Sequence, residues 1–166
     1  MDDSGSPIWL TNEVPGASDL NAWFGYWPSF HDAEVVSIEL PRSGPARISV
    51  HTFDCTGEVN QKGQYVCQKH VVVTFLLNGV DGLELSGFNL QNVVSGVTIA
   101  KTERGYEVQL EGCYGVEGAV SANSVRVEFV PGPPLDSLYL TEGMPQPPSY
   151  GGRWEYWKHS SPFHNP

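Results

Sequence analysis

The sequence predicts a mainly β protein, α+β only through one short N-terminal helix, arranged as an antiparallel β-sandwich or curled sheet of about seven strands. Three observations carry this. Apolar and polar residues alternate along most of the chain between Phe30 and Val130, the period of a strand with one buried face. Turn signals part these stretches at short intervals. The 18 glycines and 13 prolines supply the turn chemistry and disfavour long helices. At 166 residues, 40% hydrophobic and 17% charged, the chain reads as one domain over residues 1–130 with one core, followed by a C-terminal extension over 131–166.

The helix is "ASDLNAWFGYW", where Ser18 or Asp19 can act as cap and Leu20, Trp23, Phe24 and Trp27 recur at roughly helical spacing. Gly25 and Pro28 stop it after about two turns. In "AEVVSIEL" the alternation puts Val36, Ile38 and Leu40 on one face and Val35, Ser37 and Glu39 on the other. "PRSGP" turns the chain into "ARISVHTF", with Ile48 and Val50 opposite Arg47, Ser49 and His51. The polar "DCTGEVNQKGQYVCQ" reads as a loop or a ragged hairpin tip. "KHVVVTFLL", the Asn-Gly and Asp-Gly of "NGVDG", and "LELSGF" then predict a β-hairpin over residues 70–88. "VVSGVTIAKT" and "YEVQLEGCYG" flank "ERG" as a second hairpin, and "SVRVEFV" closes the regular part. The short helix is expected to cover an open end of the sheet.

From Pro131 to Pro166 the chain holds 8 of its 13 prolines together with Trp154, Tyr156, Trp157 and Phe163. Proline keeps this extension out of a central strand, and so many aromatics predict that "YGGRWEYW" packs on the body or on a partner.

The formal charge of −10, from 19 acidic and 9 basic residues, repels phosphate backbones and anionic lipid and attracts basic surfaces. Nucleic acid is thereby disfavoured as a ligand. The start "MDDSGSPIWL" has acids where a secretory signal needs positive charge, and the longest apolar stretch, "HVVVTFLLN", is nine residues where a span needs roughly 18. Both point to a cytoplasmic protein that does not enter the membrane. Cys55, Cys67 and Cys113 are too few for a disulfide scaffold and fit a reducing compartment.

Three constellations bear on chemistry. His31-Asp32, in "WPSFHDAEV", resembles the start of a catalytic pair, but neighbours in a strand point to opposite faces. The sequence instead favours a structural motif of Trp27, Pro28, Phe30, His31 and Asp32, with Asp32 bonding the turn backbone and the His31 ring among Trp23, Trp27 and Phe30. His51, Cys55, Cys67 and His70 read H-x3-C-x11-C-x2-H, which fits a tetrahedral zinc set, a Cys55–Cys67 disulfide, or ordinary surface residues. The expectation is no cofactor. "GCYGVEG" has neither the strand-turn-helix context of a nucleophile elbow nor the glycine spacing of a phosphate loop. Glu107 and Glu111 share the outer face of one strand and Glu128 that of another, a candidate docking surface for a basic protein, to which Trp154 and Trp157 of the extension can add.

The blocks "WFGYWPSFHDAEVVSIEL", "LELSGFNLQNVVSGVTI" and "CYGVEG" before "VRVEFV" resemble the immunity protein 50 family of bacterial polymorphic toxin systems, over about residues 8 to 130. The resemblance implies an inhibitor that protects the producing cell by binding a cognate toxin domain, and implies no chemistry. An inhibitor of a nuclease would meet a basic cleft with an acidic face. The rival readings are a metal-dependent hydrolase using His31, Asp32, His51 and Asp54, and a carbohydrate-binding β-sandwich stacking sugars on Trp154, Tyr156 and Trp157.

Overall fold

The computed structural model describes residues 8–134, so the aromatic "YGGRWEYW" and its expected packing lie outside the described residues. The elements are α1 (Ile8–Glu13), α2 (Ala17–Phe24), β1 (Ala33–Glu39), β2 (Ala46–Val59), β3 (Tyr65–Ser86), β4 (Val93–Thr102), β5 (Gly105–Tyr114) and β6 (Glu117–Pro131). The fold is mainly β and antiparallel, as expected. The curl runs to completion: the strands follow the order β1-β2-β3-β6-β5-β4 around a closed barrel, β4 returning to β1. Closure satisfies the edges that a sandwich would leave open.

Six strands replace the expected seven because "NGVDG" does not reverse the chain. β6 begins at Glu117 rather than Ser124 and gives β3 a partner throughout, from Val80 opposite Ala122 to Ser86 opposite Glu117. The turn-forming residues are absorbed locally, by Gly79 at φ +64 and a β-bulge between Val80 and Gly82. The polar stretch after Phe53 is the far end of β2 and β3, paired at Asp54–Gln68, Cys55–Cys67 and Val59–Tyr65. Its turn is held by Asn60, whose Oδ1 accepts from the backbone N–H of Lys62 (2.9 Å) and Gln64 (3.0 Å). The hairpin around Glu103 and Arg104 forms as expected, with Thr102 opposite Gly105.

On β1 a bulge between Val35 and Ser37 breaks the simple alternation. Val35 is therefore buried, Ile38 packs against the core, and Leu40 is exposed. α2 buries Leu20 and Phe24 and ends at Gly25, which at φ +90 donates its N–H to Asn21 O at 2.8 Å. Its entry differs from expectation: neither Ser18 nor Asp19 caps it, and the N-cap is Gly16 at φ +84. The backbone there lies against β6. Val127 N–H donates to Pro15 O (2.8 Å), and a Cβ on Gly16 would collide with the Val127 carbonyl oxygen. α1 carries no sequence signal, being six residues long and far below the length at which a helix holds alone; packing of Leu10 and of Val14 just beyond it supports the segment.

Leu10, Val14, Leu20 and Phe24 belong to the same core as the barrel residues Ile48, Val50, Val73, Phe75, Val108, Val120 and Val127. The helical segment thus closes the barrel interior. Each such side chain stabilises the fold by about 1.5–3 kcal/mol relative to exposure.

Candidate functional site

The turn into β1 is built on Phe30 and Asp32, at φ +59 and +58. Phe30 is buried, with its ring 6.0 Å from that of Trp27 and 5.7 Å from that of Phe75, and its carbonyl accepts from Ala33 N–H at 3.2 Å. Pro28 is buried beside it in sequence. The expectation for His31 and Asp32 is corrected here. The His31 ring does not sit among the aromatics; it is 69% exposed, with Nδ1 2.9 Å from Asp32 Oδ2. Neighbours in a left-handed turn do not obey the opposite-face rule of a strand, so the two side chains meet. An exposed pair contributes little to stability, and Phe30 is the anchor.

A second knot ties this turn to the rest of the chain. Asn92, buried just before β4, accepts at Oδ1 from Asn89 N–H (2.9 Å) and Val116 N–H (3.2 Å), and donates from Nδ2 to Asn89 O (2.7 Å). Its own carbonyl accepts from Val35 N–H at 2.7 Å. One residue therefore joins the three blocks that carried the family resemblance, at the place where β1 and β4 close the barrel.

His51 and His70 come together, and so do Cys55 and Cys67, but as two separate pairs. His51 is fully buried, with Nδ1 3.3 Å from Glu34 Oε2 and Nε2 3.1 Å from His70 Nδ1. A carboxylate only accepts, so Nδ1 of His51 carries a proton in that contact. Burial, then the facing His51, hold the pKa of His70 below its ordinary value. The Cys55 and Cys67 sulfurs stand 3.0 Å apart at paired positions of β2 and β3. Among the described residues, no group of three or more His, Cys, Asp or Glu side chains is placed to hold a metal ion. Asp54 is engaged elsewhere: it accepts from Tyr26 Oη (2.7 Å) and Gln68 Nε2 (3.1 Å). Those bonds lower its pKa, while burial and Asp54 push the Tyr26 hydroxyl up to about 12. His31, Asp32, His51 and Asp54 are thus each committed to local contacts.

The open surface lies at the other end of β3. One depression of about 520 Å³ is lined by Glu84, Leu85 and Ser86 of β3, Leu110, Glu111 and Gly112 of β5, and Glu117 and Gly118 of β6. A second, of about 460 Å³, is lined by Ile38, Leu40, Leu85, Ser86, Phe88 and Val116. They share Leu85 and Ser86 and form one groove, acidic on one side and apolar on the other, with no Lys or Arg in either lining. Leu40, Leu83, Phe88, Leu90 and Tyr114 are exposed, Leu90 completely. Neither lining contains any of the four residues of the hydrolase reading.

Of the predicted acidic residues, Glu111 stands in this groove and the other two do not. Glu107 accepts from Gln109 Nε2 (2.6 Å) and Ser121 Oγ (3.1 Å). Glu128 lies 3.4 Å from Arg126 and opposite Thr74 on β3, roughly 23 Å along β6 from Ser121, the partner of Glu107. Trp154 and Trp157 lie outside the described residues. The hairpin predicted for "LELSGF" hides Glu84, Glu117 and Phe88, because this segment instead continues β3 and pairs with the early part of β6. No helix among the described residues is long and apolar enough to cross a membrane.

Fold and surface together define a small closed β-barrel whose described polar clusters bond within its own structure and whose groove joins carboxylates to apolar side chains. The family Immunity protein 50 matches residues 16–132, and the chain belongs to that family. No curated protein and no solved structure matches it.

Proposed function

We propose that this chain is the inhibitor half of a bacterial toxin–immunity pair, acting in the cytoplasm by stoichiometric binding to a cognate toxin domain, without catalysis. Membership of the immunity family carries the reading. The surface supports it: the groove of Glu84, Glu111 and Glu117 beside Leu40, Leu85 and Phe88 offers negative charge and apolar area together. That combination suits a toxin segment presenting Lys or Arg next to an apolar side chain, with the net charge of −10 steering the encounter. The test is calorimetric titration with the toxin domain encoded beside this gene. One-to-one binding that weakens with salt is expected; no heat and no capture at micromolar concentration would contradict the proposal.

A further inference from the structure

β2 and β3 outrun the barrel. The described pairing of β2 with β1 ends at His51, opposite Glu34, and that of β3 with β6 begins at Val71, opposite Pro131. From Asp54 to Gln68 the two strands pair with one another, in a register that shifts between Thr52 and Asp54 and again between Cys55 and Val59. Such a two-stranded ribbon is marginal in water without further ties. Its described side-chain ties include Asp54 with Gln68 and with the Tyr26 hydroxyl, the Thr56 hydroxyl donating to Val66 O (3.0 Å), and the Asn60 turn, in which Asn60 also bonds the Gln64 side chain.

Cys55 and Cys67 sit directly opposite one another at the base of this arm, both free, with the sulfurs 3.0 Å apart. Residues directly opposite in an antiparallel pair have Cβ atoms about 4.5–5.5 Å apart, close to the roughly 3.5–4.5 Å that a disulfide spans. The two differ in access, Cys55 being exposed and Cys67 half-buried. We propose that Cys55 and Cys67 form a dithiol modification site that exchanges with low-molecular-weight disulfides, Cys55 attacking and Cys67 resolving, to staple the β2–β3 arm.

The chemistry balances within those reactants. The Cys55 thiolate attacks one sulfur of the small disulfide, the S–S bond breaks, and the departing thiolate takes a proton. Cys67 then attacks the Cys55 sulfur of the mixed disulfide and expels the second small thiol. Two protein thiols are oxidised, one disulfide is reduced to two thiols, and the two S–H protons end on the released thiols. Burial and the facing Cys55 sulfur push the Cys67 thiol up to about 12. Cys113, exposed on β5 and outside this pair, is an internal control.

The experiment incubates the full chain with oxidised glutathione, alkylates the remaining thiols and maps the peptides without reduction. The expected product is a Cys55–Cys67 cross-linked peptide pair lighter by two hydrogens than the two free-thiol peptides together, while Cys113 is found alkylated or carrying one glutathione. In Cys67→Ser, Cys55 should be trapped as the glutathione adduct. Separate glutathione adducts on Cys55 and Cys67, or both cysteines still free when Cys113 is capped, would overturn the site. Tryptic cleavage after the exposed Lys62 should be slower in the oxidised chain than in the reduced one. Equal rates would overturn the stapling.

Discussion

Between β3 and β6 the barrel is joined by a nearly continuous register from Val71–Pro131 to Ser86–Glu117, whereas β1 and β4 meet, among the described residues, at Ala33–Val94 and Glu34–Val93. The long seam is held by repeated backbone pairing, so no single residue there is critical. The short seam is held by a few named residues: Phe30, its ring beside those of Trp27 and Phe75, and Asn92, whose backbone carbonyl accepts from Val35 of β1 and whose side chain accepts from Val116. The blocks that mark the family supply the short seam with Phe30, Asn92 and Val116, and they also supply the groove with Leu40, Glu84, Leu85, Phe88 and Glu117. Within those blocks, different residues build the closure and line the groove.

Substitutions at the two seams should therefore differ sharply. Phe30→Ala removes a buried ring at the short seam and is expected to cost about 3–5 kcal/mol in urea unfolding. Val80→Ala, on the long seam and partly exposed, should cost less than about 1 kcal/mol; comparable losses would break the comparison. Asn92→Ala comes next. It strands the N–H groups of Asn89 and Val116 and is expected to cost about 2–3 kcal/mol by the same unfolding assay. Asn92→Asp keeps both acceptor contacts and should lose less.

The pH dependence probes the point where β3 leaves the barrel, at His70, whose carbonyl accepts from Gly132 N–H. With its folded pKa below the ordinary 6.5, His70 takes up a proton more readily in the unfolded chain. Its contribution is complete above pH 6.5 and is lost as pH falls through the lower, folded value. The melting temperature should decline on acidification from neutrality, and His70→Gln should flatten that decline. Asp54, with its lowered pKa, adds a separate loss below its ordinary value of 3.8. The smallest effect is at His31: His31→Ala should shift stability by no more than about 0.5 kcal/mol, since its ring is exposed and its partner is an exposed carboxylate. A large loss there would restore the buried-ring reading.

Period-two alternation located β2, β4 and β5 and the hairpin at Glu103, because those strands have one face on a single core. It failed where the partner is distant in sequence. "NGVDG" carries the chemistry of a turn, and only the early start of β6, which the glycines of "CYGVEG" conceal, shows why β3 runs on through it. Barrel closure was not legible for the same reason, as it depends on Ala33 meeting Val94. Alternation places His51 with Arg47 and Ser49, opposite Ile48 and Val50, yet it is buried against Glu34 and His70, a contact that single-strand patterning cannot show. Of the acidic surface, Glu111 was legible from its strand face; its neighbours Glu84 and Glu117 were not, because they come from β3 and β6.

Hydrogen exchange on the complex with the cognate toxin domain tests the central claim most directly. Protection gained on binding is predicted over residues 83–90 and 110–118, around the groove, with the turn from Pro28 to Ala33 unchanged because it is already committed to the short seam. Protection concentrated on that turn and absent from the groove would contradict the separation of scaffold from contact surface.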